Sequence, residues 1–380
     1  MLFFDHNATT PISETALRTY ACSLKEDWQN PSAPYREASR VKAKFELERE
    51  RLALLIGCKK ESIIFNSGAT ESNNAIFSHF SKNNCSASHC LISPFEHPSI
   101  KDAARYYFNN RVLYMPISQN GEIDLSKIEQ ILDRQKIVLV SLMAANNETG
   151  ILQPWLEVSE ICKKRGVFFH CDSTQFIGKR TPVELNQCSS FCASAHKFSG
   201  PKGMGFFVSK IPIQFQTGGL QEGSLRAGTE NFPAIKAMVS AYSEIHERLV
   251  SVELLAEFRD QFEQKVCAEL PDIRILGSQV PRLWNTSMLI TPKYDNLSWV
   301  SKLDKLGFAV STGSACSIGK LENDSISKAF GLSRQESRRL IRVSSYFSTK
   351  LEDWLSLASA FGEAFDMLNA ESSQSSVISI

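Results

Sequence analysis

Lys197 closes an apolar run, Asp172 closes another, and Cys316 sits in a loop of small polar residues. Ser194-Ala195-His196-Lys197 is followed by the glycine- and proline-rich turn Ser199-Gly200-Pro201-Lys202-Gly203. An amine at a strand end inside a pocket loses its proton through desolvation and becomes nucleophilic toward a carbonyl. Outside such a pocket Lys197 is a surface lysine. Asp172 ends the run Phe168-Phe169-His170-Cys171-Asp172, 25 residues earlier. An acid beside a pyridine nitrogen keeps that nitrogen protonated, so the ring can take up electrons. Lys197 and Asp172 together are the minimum equipment for pyridoxal 5′-phosphate, whereas Asp172 alone is equally a strand-end cap.

A phosphate needs its own cradle. Asn66-Ser67-Gly68-Ala69-Thr70-Glu71-Ser72 runs from a strand through a small-residue turn into a helix. Free N–H groups and partial positive charge at the helix start suit an anion, and Thr70 adds a hydroxyl. The competing reading is an ordinary helix start, capped by Thr70 with Asn73 or Glu71. Ser194 and His196 would add donors to the same phosphate. His97, in Ser93-Pro94-Phe95-Glu96-His97-Pro98-Ser99, could stack on a flat cofactor and shuttle protons, or simply begin a helix. Asn146-Asn147-Glu148-Thr149-Gly150 follows a strong strand and offers amides to a cofactor oxygen and a substrate carboxylate. Gln175 is placed to point back at the ring. Arg342 is a lone cation in Leu340-Ile341-Arg342-Val343-Ser344 and needs a carboxylate, from substrate or from the protein. Cys316, in Ser311-Thr312-Gly313-Ser314-Ala315-Cys316-Ser317, reads either as an exposed reactive thiol or as an idle one.

The elements that must position these groups alternate. Strands are expected at 62–65, 112–115, 137–143, 166–172, 189–195 and 204–209, and helices at 70–80, 125–132 and 156–165. Interleaving of this kind implies an α/β fold, its parallel or mixed sheet covered on both faces, with ligands at the carboxyl ends of the strands. The charge-dense stretch at 36–51 keeps the apolar stripe Val41, Phe45, Leu52 and Leu55 of an amphipathic helix. Residues 233–269 read as one long helix linking two domains. Strands near 283–290 and 340–344 and helices near 299–306 and 351–368 suit a smaller α+β domain, and the Ser-rich tail is expected to fray.

Composition narrows the class. Across 380 residues, 42 Lys and Arg against 41 Asp and Glu leave a formal net charge of +1, no global field for nucleic acid or an anionic membrane. No apolar run approaches the ~18–20 residues of a bilayer span. The start, Met1-Leu2-Phe3-Phe4-Asp5, lacks the basic and long apolar regions of a signal peptide, so a cytoplasmic protein is expected. The 10 cysteines include no CxxC pair and follow no framework spacing, which argues against disulfide staples and against a metal site.

Ten stretches, in order, resemble the cysteine desulfurases. Among them are Asp5–Pro11, Ser67–Asn74, Glu96-His97, Asn146–Gly150, Asp172–Lys179, Ser194–Gly205, Gly218–Asn231, Ser311–Ser317 and Arg342–Ser344. The resemblance implies a fold-type I pyridoxal-phosphate transferase. Residues 13–249 would form the large cofactor domain, with 1–12 and 250–380 forming the small one. It implies that Lys197 carries the cofactor and acts as acid and base, that Asp172 meets the ring nitrogen and Gln175 the ring hydroxyl, and that His97 stacks on the ring. Ala69, Thr70, Ser194 and His196 would hold the phosphate, and Thr229 would reach the phosphate of the other subunit of a homodimer. Asn147 and Arg342 would bind the carboxylate of L-cysteine. Cys316 would be the nucleophile that takes the sulfur as a persulfide, on a loop like that of the longer, mobile-loop group, for an iron–sulfur scaffold or sulfur-relay protein. Selenocysteine lyase and other fold-type I aminotransferases or lyases are the alternatives; an aminotransferase would need no Cys316. Thr217, Leu220, Ser189 and Ser345-Tyr346 depart from the family pattern.

Overall fold

Short runs of β-branched and aromatic residues, each ended by a polar or glycine turn, set the architecture. The computed structural model describes residues 1–84, 87–313 and 325–377. Strand β1 (Leu2–Phe3) belongs with the C-terminal third. β2 (Ile63–Asn66), β3 (His89–Ile92), β4 (Val112–Tyr114), β5 (Ile137–Ser141), β6 (Phe168–Asp172), β7 (Ser190–Ser194) and β8 (Gly205–Ser209) form one sheet in the order β2-β8-β7-β6-β5-β3-β4. Neighbours from β7 to β4 are parallel, and β8 runs antiparallel to both β7 and β2. The sheet is therefore mixed and mainly parallel, as expected. Every residue of β2, β7 and β8 is buried, the signature of a sheet covered on both faces.

Helices do the covering. In Trp155–Lys164 the buried residues Trp155, Val158, Ser159 and Cys162 fall one helical turn apart. Arg36–Ile56 buries Val41, Phe45, Leu52 and Ile56 and ends at Gly57, whose φ of 72° suits glycine. Residues near 233–269 are not one helix. Phe232–His246 stops, a 3₁₀ turn spans Leu249–Ser251, and Val252–Glu269 follows. Leu249 and Val252 are both buried on either side of the 3₁₀ turn, so the chain stays against the core across the break.

β9 (Arg274–Leu276), β10 (Thr286–Ile290) and β12 (Leu340–Ser344) form an antiparallel sheet with β10 central, and β11 (Phe308–Ala309) pairs in parallel with β1. Phe4, Phe262, Trp299, Leu303, Trp354 and Phe361 pack into a core of their own here. The last helix runs over Leu351–Val377, beyond the expected fraying point at 368. An ion pair from Lys302 to Glu371 and a hydrogen bond from the Tyr294 hydroxyl to Asn369 (2.8 Å) hold its end. No helix among the described residues is long and apolar enough to cross a membrane.

Candidate active site

The ends of β5, β6 and β7, together with the start of the helix after β2, bring the chemistry together. Asp172 is the last residue of β6, and Ser194 is the last of β7; the 3₁₀ turn Ala195–Lys197 follows directly. Gly205, paired with both Asn66 and Ser194, lets the strands and turn close up. A Cβ at Gly205 would lie 2.4 Å from the Ala193 oxygen and 2.6 Å from Gly68 Cα.

The helix Ala69–Lys82 begins at Gly68 (φ 139°) with no side-chain cap. Neither Thr70, Asn73 nor Glu71 caps it, so the ordinary capped start does not hold. Glu71 instead accepts from Ser67 N–H (2.8 Å) and pairs with Arg226 (2.9 Å). Gly68 supplies no side-chain cap and only Ser194 reaches the first N–H, so the partial positive charge of the helix start favours an anion there. Around it lies a cleft of about 370 Å³, lined by Thr9, Ser67, Gly68, Ala69, Thr70 and Ser194, with His196 and Lys202 at its rim. Ala69 N–H donates to Ser194 Oγ (2.9 Å). These donors fit the phosphate of pyridoxal phosphate.

Lys197 Nζ donates to the main-chain oxygens of Asn7 (2.6 Å) and Ala8 (2.8 Å). Desolvation lowers its pKa to about 8; Arg342 reinforces the shift, while Asp172 and Asp5 oppose it. Asp172 accepts from Asn73 Nδ2 (3.0 Å) and Thr174 N–H (3.0 Å). His97 caps the helix Pro98–Phe108, its Nδ1 accepting from Ser99 N–H (3.1 Å). Desolvation lowers the His97 pKa, with Asp172 opposing and Lys197 assisting. His97 thus begins a helix, and its ring also lies within electrostatic reach of Asp172 and Lys197.

Arg342, in the middle of β12, is buried, with Nη1 donating to Asn147 O (3.0 Å) and Nη2 to Asp5 (2.5 Å). The carboxylate that Arg342 pairs with is thus the protein's own Asp5, while its Nε is buried without a partner among the described residues. Ser311 exchanges two backbone hydrogen bonds with Arg342. Cys316 itself lies outside the described residues. Gln175 Nε2 donates to Asn7 O (2.9 Å), and Gln175 also accepts from Lys179. Thr229 is exposed on the loop after Arg226 and does not line the cleft of its own chain.

The class-V aminotransferase model matches residues 2–356. The chain belongs to the class-V aminotransferase family. Within it the chain groups with cysteine desulfurases. It is 32% identical to the cysteine desulfurase IscS of Dictyoglomus turgidum over 361 residues, covering 93% of this chain and 91% of that one. It is 33% identical to that of Rickettsia akari over 356 residues, covering 90% and 85%. A solved NifS-like protein superposes with a TM-score of 0.88 at 28% identity, over 96% of this chain and 99% of the other. Another, from Rickettsia africae, gives 0.86 at 27% identity over 96% and 99%. Like other class-V aminotransferases, the chain is a pyridoxal-phosphate-dependent enzyme of fold type I.

Four neighbours of the class-V site carried no catalytic or binding role in the sequence reading. Asn7 is a hub. Its side chain takes hydrogen bonds from Lys179 (2.7 Å) and Asn285 (3.1 Å) and donates to Thr286 Oγ1 (2.9 Å) and Asn147 O (3.1 Å). Lys179, one helical turn after Gln175 in sequence, is fully buried, and desolvation holds its pKa well below the usual lysine value. Asn73 and Ser99 are the other two. Asn73 lies three residues after Thr70, a spacing that puts both on one helix face and could have drawn attention to it. Of the departures, Tyr346 accepts a hydrogen bond from Ser199 Oγ (2.7 Å) and stacks on His6, tying β12 to the turn after Lys197. Leu220 is exposed and touches none of this.

Proposed function

We propose that this enzyme takes sulfur from L-cysteine, releasing alanine and leaving a persulfide on Cys316. The observation that carries the reading is the buried Arg342. It keeps an unpartnered Nε, stands within electrostatic reach of Lys197, and pairs with the strand that leads into the Cys316 loop. Pyridoxal phosphate, held by Lys197, Asp172, Gln175, Ala69, Thr70, Ser194 and His196, supplies the electron sink for the substrate α-carbon. Arg342 and Asn147 orient the carboxylate. Lys197, whose lowered pKa supplies free amine near neutral pH, moves the α-proton, and His97 moves a proton on the ring face. The Cys316 thiolate attacks the substrate sulfur; the Cβ–S bond breaks with its electron pair on carbon, a proton is added at Cβ, and return of the α-proton by Lys197 completes alanine. Thr229, exposed on its own chain, reaches the phosphate of a second subunit in a homodimer. The persulfide then passes to an acceptor protein, an iron–sulfur scaffold or a sulfur relay, in the cytoplasm.

The test is product analysis with L-cysteine. Wild type is expected to give alanine and a protein persulfide, and Cys316→Ser to form neither persulfide nor sulfide above background. A persulfide formed at the wild-type rate by Cys316→Ser would remove Cys316 from its role.

A further inference from the structure

We infer that Asn73 and Ser99 are positioning residues that fix His97 with its proton on Nε2 and, through one shared amide, hold the Asp172 carboxylate in place. The tautomer follows from the helix cap. A backbone N–H only donates, so Ser99 N–H at 3.1 Å makes Nδ1 of His97 an acceptor. Ser99 Oγ lies 2.9 Å from the same nitrogen, and its hydroxyl must therefore donate as well. The lone pairs of Ser99 Oγ then face Asn73 Nδ2 at 2.9 Å. The second hydrogen of that Nδ2 goes to Asp172 Oδ2 at 3.0 Å.

The far side of the amide is equally constrained. Asn73 Oδ1 lies 3.0 Å from His170 Nε2 and 3.4 Å from Cys192 Sγ, both of which must donate. His170 Nδ1 then accepts from the Ser190 hydroxyl at 2.9 Å. Turning the amide over would set its oxygen against a carboxylate oxygen. Asn73 and His170 are both 0% exposed, so no water is at hand to repair such a clash. Two donors and two acceptors of Asn73 are all used, which fixes the orientation of its amide; the proton on His97 is fixed by the Ser99 N–H.

The consequence is a division of labour. Nε2 of His97 has no partner among the described residues and carries the ring proton. At that nitrogen the neutral ring gives a proton and does not take one. Removal of the substrate proton then falls to Lys197. This last step rests on the proposed function, whereas the tautomer does not.

The test is ¹⁵N NMR of the full chain labelled at histidine imidazoles, without and with cofactor. His97 is identified among the 7 histidines by the signal lost in His97→Gln. Wild type is expected to show Nδ1 unprotonated and Nε2 protonated. Ser99→Ala removes the hydroxyl and keeps the backbone N–H, so Nε2 is expected to remain the main protonated nitrogen, with a raised share at Nδ1 that Ser99→Thr removes. Asn73→Asp, which withdraws the amide hydrogens from Asp172, is expected to lower kcat about tenfold at nearly constant KM, a modest fraction of an acid–base group's usual contribution. A wild-type His97 protonated at Nδ1, a Ser99→Ala ring mainly protonated at Nδ1 despite the retained N–H, or wild-type kcat in Asn73→Asp overturns the inference. Failure of the functional reading looks different: wild type makes no alanine from L-cysteine while the ring pattern stands.

Discussion

Lys197→Ala is expected to lower kcat by at least about 10²–10⁴-fold, the range of acid–base groups alone, and to leave no cofactor that borohydride can trap. The effect is large because no other described group stands in the same place. Lys179, the nearest alternative amine, is fully buried and tied to Asn7 and Gln175. The chemistry of Lys197 also has a pH signature. With a pKa of about 8, about a tenth of the amine is free at pH 7, against roughly 0.03% for an unperturbed lysine. The shift is downward, so the free amine grows as pH rises and saturates above the shifted value. Capture of pyridoxal phosphate by the cofactor-free protein is therefore expected to accelerate with pH and level off above about 8. A midpoint near the unperturbed lysine value, or trappable cofactor on Lys197→Ala, would falsify the assignment.

Asp172→Asn is expected to cost about 10²–10⁴-fold in kcat while the cofactor remains attached. The bare helix start at Ala69 and the amine of Lys197 do not depend on the acid, so retention should survive. What is lost is the anion that keeps a pyridine nitrogen protonated, and with it the electron sink. The carboxylate accepts one N–H from Asn73 and one from Thr174, and an amide accepts with one oxygen only. The visible spectrum of the bound cofactor should change together with kcat. Activity within tenfold of wild type and an unchanged spectrum would remove Asp172 from the ring nitrogen.

Much of this was legible in the sequence where local rules decide. Strand ends at Asp172 and Ser194 follow from apolar runs stopped by polar residues, and the start of the helix at Ala69 follows from Gly68. Lys197, His97 and Arg342 announce themselves as polar groups at the ends or middle of apolar runs. Less was legible where distant segments meet. Nothing near Asn7 in sequence shows that it supports Lys197, Lys179 and Gln175, because all three lie far along the chain. The break at 247–251 was missed for a related reason: helix periodicity continues on either side, and only the demands of the core turn the chain. The absence of a cap on Ala69–Lys82 was also beyond sequence, since Thr70, Asn73 and Glu71 are all plausible caps until Arg226 claims one and Asp172 another.

The first ten residues have a bearing on how the molecule is made. Asp5 and Asn7 find partners on β12, 337 positions later, and Asn7 and Ala8 supply the acceptors for Lys197. During synthesis the N-terminal segment emerges first and waits longest, and contacts of such sequence separation form slowly. The pocket is thus expected to close only after β12 has been made. Ribosome-tethered chains that stop before Leu340 should fail to take up pyridoxal phosphate, and tethered full-length chains should acquire it; uptake by the shorter chains would show that the site closes without its two ends meeting. Loading with cofactor would then serve as a check that synthesis has passed β12.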